Sequence, residues 1–425
     1  MAIIKPFCAL RYTNKIKNIN EVLCPPYDII SEDERKNFLK TNEHNIIRLE
    51  LPKEGENPYK TAGKTLKLWI FENILKKDDS ENIYFYEEEF EAYGQIKKIK
   101  GIICLVKLEE FEKKVVLPHE ETLSKAKTDR FNLMSETNCN FSQIYCLYND
   151  DGTVFSKVDE ITTSSPETTA KTSDNIIHRL WKTDDKKNIE FFKNKFKDKQ
   201  LFIADGHHRY ETALNYRNYL KNNGLIKDEN HPANYIMMML VDLNNDGLVV
   251  FPTHRMIKDI KDFNENEVIL KLDNLFEIEK INNLENIENE LSDNNDKKVF
   301  GFYTGNNYWY KLTLKNINQA ESFCENCSNT LAQLDVSILH NMILNNIFGI
   351  DKENMKNQKN LTYTRDFYEA IEKVKDGSFQ CSFILNPTKV SEIRDIALNN
   401  EKMPQKSTYF YPKLITGLVM NKFID

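Results

Sequence analysis

The apolar residues of this chain gather in short blocks that switch between a two-residue and a three-to-four-residue period, and the switching predicts a mixed α/β, α+β protein. Residues 31–40 open with Ser31 and carry acids in the first turn, which predicts a helix; a second is expected near 64–76. Residues 84–90 and 101–108 (GIICLVKL) are rich in β-branched and aromatic side chains and flank a polar turn around Gly94, so they read as strands. The polar, threonine-rich stretch 150–173 reads as a turn or hairpin followed by an exposed excursion. Residues 200–204 (QLFIA) then predict a buried strand, 211–220 a helix and 235–241 (YIMMMLV) a second buried strand. Beyond residue 264 the pattern predicts strands at 299–303 and 382–385, helices at 336–348 and 390–399, and a polar closing loop. The chain contains no internal repeat.

Only 13 glycines and 12 prolines punctuate the 425 residues, so boundaries must be read from shifts of pattern. Three regions are expected: an N-terminal α+β region over 1–98, a central domain over 99–262 and a C-terminal α/β domain over 263–425. Lysine and arginine number 58 against 65 acids, a formal charge of −7 without long single-sign blocks, so no nucleic-acid partner is expected. No run of roughly 20 apolar residues offers a membrane span, and the opening MAIIKPFCALRYTNK is too short in its apolar run for a secretory signal. A cytoplasmic protein is expected. The eight cysteines are scattered, several of them (Cys104, Cys146, Cys381) in strand-like runs, which suits reduced thiols. Cys324 and Cys327 in FCENC have the spacing of half a metal site or a redox motif, but no second ligand pair accompanies them, and they too are read as ordinary thiols.

The segment richest in chemistry is LFIADGHHRYETAL, residues 201–214, where an apolar strand ends in Asp205 and a helix is expected almost at once. Gly206 permits a tight turn. The unpaired N–H groups at the start of a helix, with its positive dipole end, make a seat for an anion, to which His207, His208 and Arg209 add donors. Phosphate is the expected guest: Arg209 can grip it bidentately, and Asp205 can hold an amine or a hydrated magnesium ion. The plainer alternative is a surface turn in which Asp205 caps the helix and the histidines face solvent. Zinc is the weaker reading, because adjacent histidines project differently and no HExxH spacing accompanies them.

Three further segments carry candidate groups. Pro118-His119-Glu120 ends an extended run ahead of a basic helix, where a carboxylate can take a proton from an attacking hydroxyl; taken alone, the acids are read as helix entry that relieves the dipole. Lys406, Ser407 and Thr408 in EKMPQKSTYFYPKL form a loop able to grip a carboxylate or phosphate, or simply an aromatic turn packed on the body. Thr253, His254 and Arg255 in FPTHR follow an apolar strand and are ambiguous alone, while CPPYD at 24–28 reads as a rigid structural turn.

The Asp205–Arg209 corner resembles the phosphate-binding motif of the ParB/sulfiredoxin superfamily. The order PHE, DGHHR, then a lysine-hydroxyl loop resembles the ParB-like free serine kinases more closely. Over most of its length the chain is similar to the bacterial and archaeal family catalogued as domain of unknown function ten-fifteen, through CPPYD, DGHHRYETA, THR and MPQKSTYFYPK. The resemblance implies a ParB/sulfiredoxin-like central domain between the N-terminal extension and the C-terminal domain, and a kinase of free L-serine that uses ATP or ADP with Mg²⁺ carried by the nucleotide. It makes Glu120 the base and Asp205 a positioning group. Gly206, His207, His208 and Arg209 would hold nucleotide phosphates, and His119, Thr253, His254, Arg255 and Lys406–Thr408 would lie on the substrate side. The N-terminal hundred residues and the long gap between PHE and DGHHR depart from the smaller kinases and leave the substrate less secure than the nucleotide. A sulfiredoxin activity is disfavoured, since His207 stands where that chemistry needs cysteine. Two other classes stay open: a nucleotide-binding regulator without turnover, and a metal-dependent phosphate-ester hydrolase built on His119, His207 and His208.

Overall fold

The computed structural model describes residues 1–120, 122, 124–324 and 327–424. Two compact units emerge: residues 1–118, 122–249 and 412–425 form the first, and residues 119–121 and 250–411 the second. Both mix helices with sheet, so the chain is a mixed α/β, α+β protein. The units divide the chain differently from the three expected regions. A boundary after residue 98 would cut the strand Gln95–Lys107, and one after residue 262 would detach His254–Ile257 from the sheet it builds.

In the first unit the two stretches flanking Gly94 form a long hairpin, Ile83–Ala92 against Gln95–Lys107, paired from Tyr84↔Ile103 to Ala92↔Gln95. Tyr93 and Gly94 make the two-residue turn, both with positive φ (53° and 70°), the geometry that suits the twist of a hairpin. The hairpin sits inside a nine-stranded sheet. From one edge the order runs Val116–Leu117, Leu201–Asp205, Ile144–Tyr148, Tyr235–Asp242, Gln95–Lys107, Ile83–Ala92, Ile177–Thr183, Thr168–Lys171, and Ile4–Lys5 pairs with Gln95–Lys107. Tyr235–Asp242 is buried at all eight positions and Ile144–Tyr148 at all five, which explains their unbroken apolar sequence: both faces of these strands are covered. Leu201–Asp205 and Tyr235–Asp242 are not neighbours, because Ile144–Tyr148 lies between them, antiparallel to the first and parallel to the second. The helices Ser124–Thr137 and His207–Asn222 pack together through the edge of Phe131 against Tyr216 and Tyr219.

Several local expectations shift. Ser31 caps Glu32–Thr41 with a full capping box, as its sequence suggests. The next helix is Pro58–Phe71, earlier than 64–76: Asn57 caps it, Pro58 fills its first turn, and Asn73 in the left-handed region turns the chain into the strand Leu75–Lys77. The stretch 150–173 holds a helix, Thr153–Ile161, and an edge strand, Thr168–Lys171, instead of a turn and an excursion. Its DDG does turn the chain, but Asp150 and Asp151 accept from the N–H groups of Val154 and Thr153 and so open a helix.

The second unit is built on a six-stranded antiparallel sheet, in the order Phe276–Ile281, Trp309–Leu314, Val299–Tyr303, Cys381–Ile384, His254–Ile257, Leu361–Thr364. The helix expected at 336–348 is broken into a short α-turn, Asp335–Ile338, and a π-helix, Leu339–Asn345. The end of the chain is less loop-like than expected, with strands at Tyr409–Tyr411 and Asn421–Lys422. Cys324 and Cys327, expected as thiols, form a disulfide with Cα atoms 5.7 Å apart, within the span that a disulfide bridges. Among the described residues no helix is long and apolar enough to cross a membrane.

Gly101 shows how closely the central strands approach. A Cβ there would lie 2.7 Å from the Leu240 carbonyl oxygen and 2.9 Å from the Met239 methyl. Gly101→Ala is therefore expected to destabilise the protein by about 1–3 kcal/mol through overpacking. Urea unfolding checks this: the midpoint should fall with the slope unchanged, and an unmoved midpoint would contradict the close approach.

Candidate active site

In the first unit the strand Leu201–Asp205 passes into the helix His207–Asn222 through Gly206 alone. Gly206 has φ +96°, and a Cβ on it would stand 3.0–3.1 Å from the Arg209 guanidinium, so both the turn and the neighbouring arginine require glycine. Gly206 is also the helix cap and, lacking a side chain, makes no capping hydrogen bond itself, at the kind of helix start that suits an anion.

Asp205 does not cap the helix. One of its oxygens accepts from Arg209 Nη2 at 2.6 Å and the other from Lys413 Nζ, with all three side chains at least 85% buried. Burial opposes the charge on Asp205, but Lys413 and Arg209 outweigh it and hold the carboxyl well below the ordinary aspartate range. Arg209 is fixed a second time, donating from Nη1 to the Gln143 carbonyl at 2.6 Å. Two of its five N–H groups are thus spent on orientation. His207 is buried and His208 half-buried at the start of the helix.

The CPPYD segment belongs to this neighbourhood. After Pro25-Pro26 a 3₁₀ turn, Tyr27–Ile29, places the Tyr27 ring 4.0 Å from the Arg130 guanidinium. Arg130 donates to the Glu50 carbonyl at 2.7 Å and pairs with Asp129 at 2.6 Å. The charges of Asp28 and Glu50, and Tyr27 itself, act on Arg209 and, after Asp205, help keep it protonated against burial. The rigid turn is therefore also part of the charged surroundings of the corner.

In the second unit the PHE and Lys-Ser-Thr segments come together. Glu120 forms an isolated parallel bridge with Met403, whose N–H donates to the His119 carbonyl at 2.7 Å. Glu120 Oε1 accepts from the Lys406 N–H at 2.7 Å, and His119 Nε2 lies 3.0 Å from Thr408 Oγ1. Lys406 has φ +59°, an uncommon conformation for a lysine, and such strain persists only where the surroundings impose it. They do so here: Ser407 Oγ donates to the Pro404 carbonyl at 2.5 Å, and Thr388 Oγ1 donates to the Ser407 carbonyl at 2.8 Å.

The Thr253-His254-Arg255 segment lies beneath this loop. Arg255, 1% exposed, donates to the Thr253 carbonyl, to the Lys406 carbonyl at 3.1 Å and to His340 Nε2 at 3.2 Å. An arginine can only donate, so His340 accepts as the neutral ring carrying its proton on Nδ1. Burial, and then Arg255, keep His340 neutral by lowering its pKa well below the usual value. Burial also lowers Arg255 to about 10, against the pull of Tyr363 and Glu120, so it stays charged at neutral pH. His254 differs from the substrate-facing role expected for it: it is 1% exposed, its Nδ1 accepts from the Leu385 N–H at 3.3 Å, and burial lowers its pKa to about 4.

Glu120 and Lys406–Thr408 thus share one environment in the second unit, and Asp205–Arg209 form another in the first. Lys413, Gln143, Arg130, Tyr363 and His340 were not anticipated as participants, although Lys413 stands inside the MPQKSTYFYPK stretch. No group of three or more His, Cys, Asp or Glu residues among those described is arranged to hold a metal. Nor do the described residues form a protein cage for Mg²⁺: both oxygens of Asp205 serve cations, and one of Glu120 serves Lys406.

Fold and site define a two-unit α+β protein with a charged strand-to-helix corner in one unit and a carboxylate-bearing loop in the other. The family model described as "Protein of unknown function (DUF1015)" matches residues 4–337, and the chain belongs to that family. No curated protein matches. Among solved structures, a conserved hypothetical protein from Pyrococcus furiosus is 14% identical with a TM-score of 0.35, over 76% of this chain and 95% of that one. A free serine kinase in complex with AMP is 13% identical with a TM-score of 0.37, over 75% and 91%. SbnI from Staphylococcus aureus, truncated at its C-terminus, is 9% identical with a TM-score of 0.33, over 75% and 86%.

The Asp205 cluster makes a pH-dependent contribution to stability. Its carboxyl titrates below the unfolded value of about 3.9, so the contribution is complete above pH 4 and is lost as the pH falls toward the depressed folded value. Asp205→Asn leaves two buried cations without their shared anion and is expected to cost about 3–5 kcal/mol at pH 7. Denaturant titrations should show that the variant has lost part of the acid sensitivity below pH 4; identical acid profiles would remove Asp205 from the account.

Proposed function

We propose that the protein is a nucleotide-dependent kinase of free L-serine, with ATP or ADP as donor and O-phospho-L-serine as product. The carrying observation is the 2.7 Å hydrogen bond that holds Glu120 to the backbone of Lys406, two segments 286 residues apart in sequence. A helix-entry acid has no need of that strained partner, whereas a carboxylate fixed beside a hydroxyl-bearing loop is suited to accept a proton. The motif order adds to this, since PHE, DGHHR and the lysine-hydroxyl loop stand here as in the ParB-like free serine kinases.

In this reading the first unit takes the nucleotide. The N–H groups after Gly206, with His207, His208 and the remaining donors of Arg209, receive phosphate oxygens, while Asp205 and Gln143 hold Arg209 in orientation. The second unit takes the acceptor. Glu120 removes the serine hydroxyl proton as the new O–P bond forms and the bond to the departing nucleotide breaks. Lys406–Thr408 and Arg255 neutralise the carboxylate or the phosphoryl group in transit. Phosphoryl transfer asks mainly for such positioning and charge neutralisation. Mg²⁺ would enter on the nucleotide oxygens and supply further neutralisation there.

Purified protein with Mg²⁺, L-serine and ATP or ADP should yield O-phosphoserine. Glu120→Gln retains a carbonyl oxygen to accept the Lys406 N–H but loses the base, so turnover should fall by about 10²–10⁴-fold with nucleotide affinity nearly unchanged. Arg209→Ala should instead weaken nucleotide binding. Binding without any phosphorylated product would favour a nucleotide-sensing regulator, and undiminished turnover in Glu120→Gln would remove that residue from the mechanism.

A further inference from the structure

The loop that holds Glu120 also borders a cavity. Pro404 and Gln405, directly before Lys406, line a space of about 400 Å³ within the second unit, in the size range of small-molecule sites, about 300–1,000 Å³. Leu331, Met355 and Tyr363 give it apolar wall, and His340 and Asn341 reach it from the π-helix Leu339–Asn345. Single π-turns within helices recur at functional sites, where they present side chains that a regular helix would not.

The charge is one-sided. Exposed Lys352, Lys356 and Lys402 stand at the lining with one acid, Glu353. Behind the wall lies Arg255, bonded to His340 and to the Lys406 carbonyl with its guanidinium 5.3 Å from the Tyr363 ring. Its hydrogen bonds among the described residues go to carbonyls and a neutral imidazole, none to a carboxylate, so a buried positive charge faces the cavity's surroundings without a bonded anion. Ser337, 1% exposed, lines the same cavity, and its Oγ has no hydrogen-bond partner. A buried hydroxyl left in that state is costly and indicates a group that a ligand would satisfy.

Size narrows the guest. At about 30 Å³ per water, the cavity has room for roughly a dozen molecules, more than free serine displaces, and inorganic phosphate would leave the apolar wall uncovered. We propose that this cavity is the seat of a carboxylate larger than serine, a hydroxy or amino acid with an apolar arm, whose acid group answers Lys352, Lys356 and Ser337 while the arm lies on Leu331, Met355 and Tyr363. The assignment deepens the transferase reading by widening its acceptor class, and it rests on that reading only in calling the guest an acceptor.

Calorimetry on the full chain without nucleotide tests the site itself, with 3-phenyllactate and the neutral 1-phenyl-2-propanol as probes. Phenyllactate should bind at least about tenfold more tightly than the alcohol. The Lys352→Ala/Lys356→Ala variant, altered only at exposed positions, should keep the wild-type melting temperature and lose about tenfold in phenyllactate affinity. Phenyllactate no tighter than the alcohol, or affinity unchanged in the double variant, would overturn the proposal. Failure of the kinase reading is separate: it appears as absence of phosphorylated product from a protein that still binds the acid.

Discussion

The corner of the first unit depends on a single negative charge. Asp205 sits at the end of a buried strand, where desolvation works against ionisation, and it remains ionised because Arg209 and Lys413 flank it. The cluster does two things at once. It orients the guanidinium at the start of the helix, and it ties the returning segment 412–425 to the sheet 208 residues earlier in sequence. Had Asp205 capped the helix instead, Arg209 would have been left to find another orienting partner.

What the sequence reveals follows the range of the interactions involved. The hairpin is legible because its β-branched and aromatic content and its turn are local, and Gly206 is legible because one residue type answers a backbone need. The helix Thr153–Ile161 is not, since its β-branched residues Thr153, Val154, Val158 and Ile161 have weak helix propensity and its stability comes from burying Val154 and Val158. The role of Lys413 is illegible for a different reason. A lysine in a polar closing segment looks like any solvated charge until the fold brings it to a buried carboxylate. Gln143 leaves no side-chain signal at all, because it acts through its backbone carbonyl.

The candidate site in the second unit is legible in its parts and not in its assembly. Glu120 alone reads as helix entry, and Lys406–Thr408 alone as an aromatic turn; their pairing depends on a left-handed Lys406 that no local propensity favours. His254 shows the converse. Its neighbour Arg255 suggested a shared role in substrate binding, yet alternation along the strand His254–Ile257 sends adjacent side chains to opposite faces, and His254 turns to the Leu385 amide while Arg255 reaches the loop.

Arg255 connects these features in one electrostatic argument. A buried guanidinium satisfied only by carbonyls and a neutral imidazole is costly, and burial lowers its pKa without discharging it at neutral pH. The Lys406 carbonyl, bonded to Arg255, and the Lys406 N–H, bonded to Glu120, place one strained residue between the guanidinium and the carboxyl group. The left-handed conformation follows from that arrangement: a single peptide segment must present its carbonyl to one charge and its amide to the other. Relaxing Lys406 would loosen both contacts together, so the strain and the buried charge have a common physical origin.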